Sequence, residues 1–80
     1  MNIERLQLKG MLADSKKQFR IKDTEASGLI ILLRSLLNPY IPVIEIDTQK
    51  VSVHVERLHR IITEMKEKQK QIKQMESDLA

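Results

Sequence analysis

Two series of apolar residues, each repeating every seven positions, constrain this chain more than any other feature. Leu12, Phe19, Ala26 and Leu33 form the first series, and Val51, Leu58, Met65, Ile72 and Leu79 form the second, with Val55 and Ile62 alongside. A sustained spacing of seven marks a helix that keeps one seam turned toward a partner helix. Between the series stands "LLNPYIPVIEID", residues 36 to 47, with prolines at 39 and 42. Folding the chain back about Pro42 pairs Leu33 with Val51, Ala26 with Leu58, Phe19 with Met65 and Leu12 with Ile72. Two independently chosen series thus share one centre, and it falls on the proline turn. The expectation is an all-α, coiled-coil-like antiparallel hairpin forming a single domain over residues 1–80. It has a helix over about 3–37, a turn over 38–47 and a second helix over about 48–78.

Local signals refine the boundaries. Proline disfavours the helical conformation for the residue before it, so the first helix ends by Leu37 or Asn38, and Pro42 keeps the next residues extended. Asp23-Thr24 resembles a fresh helix start, and Gly28 costs about 1 kcal/mol against alanine in a helix interior. One continuous helix is expected, with a kink near 23–28 as the alternative. Asp47 suits the N-cap of the second helix, its carboxylate accepting a backbone N–H of the first turn. Ile46 would then pack on Val51 as a hydrophobic staple. The competing reading makes "VIEI" and "VSVHV" two strands joined by "DTQK", giving helix–β-hairpin–helix, and the alternation of Val51, Val53 and Val55 suits it. It lacks the Gly or Asn that tight hairpin turns favour, and it makes Val51's place in the seven-residue series accidental.

The apolar stripe changes width along the chain. "GLIILLRSLL" is apolar nearly all round, and Val55, Leu58, Ile61 and Ile62 cover more of the second helix than one partner can. Beyond Met65 only Ile72, Met75 and Leu79 interrupt a polar run. Eighty residues without cysteine form a small core with no disulfide to reinforce it, and such a core rarely yields more than about 3–5 kcal/mol. The reading is therefore a homodimer in which the turn-proximal halves of two hairpins make a four-helix bundle. The interface is expected to involve Leu29, Ile30, Leu32, Leu33, Leu36, Leu37, Tyr40, Ile41, Val55 and Ile62. Another helical protein is the alternative partner. Met65 and Met75 read as core filling.

Little chemistry converges. His54 and His59 lie five apart, about 140° around a helix, and cannot share a metal as an i, i+4 pair would. Glu45 and Asp47 have no further oxygen ligands at calcium-loop spacing, and Gly10 and Gly28 are too isolated to cradle phosphate. No catalytic residue, cofactor or metal is expected, and the chain reads as a non-enzymatic structural or protein-interaction module.

Charge is unevenly spread. Residues 1–22 and 57–73 each carry six basic and two acidic side chains, whereas residues 23–47 carry four acidic and one basic. Antiparallel pairing brings the basic arms together, and a nucleic-acid-binding accessory protein is the alternative function. Its phosphate contacts would come from Lys9, Lys16, Lys17, Arg20, Arg57 and Arg60. The blander reading is a solvated helical surface, in which Glu56 pairs with Arg60 and Glu64 with Lys68. The first ten residues lack the apolar core of a secretory signal, and the longest apolar run is far below the ~20 residues a bilayer needs. A cytoplasmic protein without a membrane role is expected.

The two arms and the "NPY.P…IDT.K" turn resemble small helical proteins of unknown function encoded in Mu-like transposable prophages. The resemblance implies a cytoplasmic phage accessory protein and carries over no functional residue. The helix–proline turn–helix plan is also similar to type III secretion needle subunits, and the strand alternative to prefoldin subunits. Both are likenesses of shape, and shape does not establish function.

Overall fold

The computed structural model describes residues 3–80, which form two long helices and a structured turn. Helix α1 spans Ile3–Leu36 and helix α2 spans Thr48–Leu79, and they pack against each other as a hairpin. No strand occurs among the described residues, which removes the helix–β-hairpin–helix alternative. Val51, Val53 and Val55 lie within α2, and the cost of β-branched residues in a helix is small beside tertiary packing. Helix α1 is unbroken through Asp23, Thr24 and Gly28.

Burial traces the seam. On α1 the buried or half-buried residues of the helix are Leu8, Leu12, Ser15, Phe19, Lys22, Ala26, Leu29, Leu33 and Leu36. On α2 they are Val51, His54, Leu58, Ile61, Met65, Lys68, Ile72, Met75 and Leu79. Spacings of four and three alternate throughout, the a and d positions of a heptad. The seven-residue series of the sequence are the a positions, and Leu29 and Ile61 belong to d. The two sets mirror each other, position n on α1 answering 87 − n on α2. Leu8 thus mirrors Leu79, Ala26 mirrors Ile61, and Leu36 mirrors Val51. The expected centre at Pro42, which set a against a, gives way to a centre between residues 43 and 44, which sets a against d. Ala26, Leu29 and Ile61 accordingly form one buried cluster, with Leu58 and Met65 packed on it.

The turn satisfies its own backbone. The Leu33 carbonyl accepts the Leu37 N–H at 2.9 Å, and the Asn38 side-chain oxygen accepts the Tyr40 N–H at 2.9 Å. Pro42 itself is extended, but Val43–Glu45 then form a 3-10 turn rather than the extended run expected. The Pro42 and Val43 carbonyls accept the N–H groups of Glu45 and Ile46 there, partners an extended segment would lack. Asp47 caps α2, its carboxylate accepting the Lys50 N–H at 3.0 Å. Ile46 and Val51, the staple positions, are both half-buried. At the other end the Arg5 guanidinium donates to the Leu79 carbonyl at 2.6 Å, a cation placed at the negative end of the α2 dipole.

The core is thin and the molecule long. Among the described residues the buried apolar set is Ala26, Leu29, Leu33, Ile61 and Ile72. The Cα envelope measures 64 × 16 × 14 Å with a radius of gyration of 18.2 Å, against about 12 Å for a compact chain of this length.

Candidate interaction surface

Each long side of the hairpin is a flank, built from the residues next to the seam. In an antiparallel pair the e positions of both helices share one flank and the g positions the other. Ion pairs identify them. Glu25 and Arg57, both g, meet at 2.7 Å, and Lys16 and Glu76, both e, meet at 3.9 Å. Lys22 reaches Glu64 on the g flank. This replaces the expected pairing of Glu64 with Lys68 along α2, because Lys22 extends from the seam itself. The Lys22 ammonium, hydrogen-bonded to the Glu64 carboxylate and adding its charge, holds that carboxyl below its ordinary value.

The flanks differ in the turn-proximal half. Two heptads from Lys16 stands Ile30, and two heptads back from Glu76 stands Ile62. One heptad further come Leu37 and Val55. These four e positions are all apolar and all exposed. A groove of about 430 Å³ opens on this side, lined by Ile30, Leu33, Arg34, Leu37, Pro39 and Leu58. On the g flank the corresponding groove is lined by Lys22, Glu25, Arg57, Arg60, Ile61 and Glu64, five of them charged. Apolar side chains thus continue from seam to surface on one flank, whereas carboxylates and cations close the other.

The ten residues expected at an interface separate into groups. Leu29 and Leu33 are buried in the chain's own seam, and Leu36 is half-buried there. Ile30, Leu37, Val55 and Ile62 form the exposed apolar flank, while Leu32 sits at a g position on the opposite side. In the turn, Tyr40 is 92% exposed and Ile41 is half-buried. Sequence reasoning omitted Ile31, Val43, Ile44 and Val53, of which Ile44 is 94% exposed. The unbroken apolar run "PYIPVI", residues 39 to 44, was the available signal for the two in the turn.

Of the expected phosphate contacts, Lys16 and Arg57 hold carboxylate partners. Lys9, Lys17, Arg20 and Arg60 are exposed along the arms, with Arg20 beside Lys16 and Phe19 on the e flank. His54 occupies a half-buried seam position and His59 is exposed. Among the described residues no helix is long and apolar enough to cross a membrane, and no three His, Asp or Glu side chains are grouped so as to hold a metal. No protein-family model matches the chain, and comparison with curated proteins and with solved structures finds no similar protein.

Proposed function

We propose that this chain is a non-enzymatic, protein-binding helical module that self-associates through the apolar flank of its turn-proximal half. A homodimer forming a four-helix bundle is the assembly this reading favours. The observation that carries it is the asymmetry of the flanks. Ile30, Leu37, Val55 and Ile62 stand exposed at e positions, the groove beside them reaches Pro39, and Tyr40, Val43 and Ile44 of the turn are exposed as well. Contiguous apolar surface of this kind marks interaction sites, and covering it would thicken a core that holds few buried side chains.

Solution mass measured by light scattering, at low and high salt, tests the proposal. A dimer insensitive to salt is expected, and Ile62→Lys is expected to reduce it to monomer while leaving the helices folded. A wild-type monomer at high concentration would refute the reading. Leu33→Asp is a poorer probe, because Leu33 belongs to the hairpin's own core and a charge there unfolds the chain. The nucleic-acid alternative draws less support, since carboxylates already neutralise Lys16 and Arg57. It requires retardation of DNA or RNA that weakens steeply with salt.

A further inference from the structure

We infer that the occupant of the apolar flank is a second copy of this chain docked head to tail, its turn lying on the first copy's basic arms. This rests on the self-association proposed above and adds the arrangement of the two copies.

Surface area first shows that there is room for an occupant. The chain exposes 6482 Å², whereas a compact monomer of 9.3 kDa exposes roughly 5,000 Å². The excess of roughly 1,500 Å² is larger than the ~800 Å² each partner contributes to a standard interface. A second copy can supply an equal and complementary flank.

Charge then selects the arrangement. Residues 35–49 carry Glu45 and Asp47 and no basic side chain, and both carboxylates are exposed. Toward the open end, Lys9, Lys16, Asp23 and Glu76 stand at e positions, and Arg20 of α1 and Lys66 and Lys73 of α2 stand at the b positions that border them. The apolar row is centred between Ile30 and Leu37 on α1. The turn lies about 18 Å beyond that centre, a distance about twelve helical residues span. Superposing the two rows head to tail therefore sets Glu45 and Asp47 of one copy near Arg20 and Lys66 of the other. Laying the copies with turns together instead sets Glu45 and Asp47 against their own duplicates, and Arg20 and Lys66 likewise. It also aligns the charged distal flanks, including Lys9, Lys16, Asp23 and Glu76, where no apolar row offsets their desolvation. Head-to-tail docking confines the overlap to the halves that are apolar.

Spin labels read the arrangement directly. The chain has no cysteine, so Ala13→Cys supplies one thiol at an exposed position on α1 outside the seam. Head to tail, two labels at position 13 lie about 54 Å apart by helical rise. With turns together they lie under about 30 Å apart, near helix-packing distance plus label arms. A dimer mass with the long distance supports the inference. A dimer mass with the short distance, or with both distances, overturns it and leaves self-association standing. A monomer overturns self-association itself. Glu45→Lys gives a second reading with opposite signs. It weakens a head-to-tail dimer, by roughly five-fold at low salt for an exposed charge pair, and strengthens a turns-together dimer by relieving repulsion. Strengthening, or no change at low salt, would overturn the inference.

Discussion

Two flanks one residue to either side of the same seam have opposite chemistry. On the g flank Glu25 meets Arg57 and Lys22 meets Glu64. On the e flank, at overlapping heights, Ile30, Leu37, Val55 and Ile62 stand in water, and Ile30 and Leu37 line a groove there. The a and d positions are shared by both sides, so the difference lies in the third apolar position per heptad. The lesson is that a two-helix seam accounts for the a and d residues alone. A third apolar position per heptad is left exposed by such a seam, and its letter says on which side it stands.

The seam beneath both flanks gives the largest expected effect. Ile61→Ala should lower the folding free energy by about 2–4 kcal/mol in chemical denaturation, because it empties the cluster around Ala26 and Leu29. A loss under 1 kcal/mol, on the scale of a surface substitution, would show that the cluster is not the common support. Ile62→Lys, one residue away on the apolar flank, should weaken self-association by at least tenfold, about 1.4 kcal/mol, read as mass against concentration. An unchanged dimer would remove the distinction between the flanks. Gly28 lies outside both flanks and a Cβ there meets nothing within 4 Å, so Gly28→Ala should raise stability by about 0.5–1 kcal/mol without changing the mass. Glu25→Gln on the charged flank should cost only about 0.2–1 kcal/mol, also with the mass unchanged, since the pair it breaks is exposed.

The smallest effect is one of pH. The Glu64 carboxyl is held below its ordinary value of 4.5 by the hydrogen bond and charge of Lys22. The contribution is present above that ordinary value and is lost as pH falls through the lowered one. Glu64→Gln should therefore flatten the acid-side fall in melting temperature slightly, and an identical acid limb in both proteins would show that the pair contributes nothing.

The hairpin was legible because every a position is apolar, from Leu12 to Leu33 and from Val51 to Leu79. The register was less so. Ser15, Lys22, His54 and Lys68 occupy d positions, and these polar residues hide the second half of the seam from any apolar count. Lys22 can sit there because its stem lies along apolar neighbours while its ammonium reaches Glu64. Pairing a with a therefore placed the fold centre on Pro42, whereas Leu29 and Ile61 reveal that a faces d. Asp47's capping role was readable from its place before a helical series, but the 3-10 turn over Val43–Glu45 was not, since no residue type there requires it. The flank asymmetry was half visible. Ile30, Leu37, Val55 and Ile62 were all singled out, but Leu29 and Leu33 stood beside them until the fold separated seam from surface.

The 64 × 16 × 14 Å proportions also govern how the molecule rotates in solution. A rod about four times longer than wide spins readily about its axis and turns end over end slowly. Helical N–H bonds in α1 and α2 lie nearly along that axis, so their nuclear relaxation senses the slow rotation. The turn over 38–46, in which Pro39 and Pro42 carry no N–H, senses the slow rotation only as far as its own N–H bonds share that direction. A second copy docked along part of the rod, as proposed above, would change both rotations, but not by the same factor. The ratio of relaxation times between helix and turn amides therefore reports the shape of the tumbling particle, whether one copy or two.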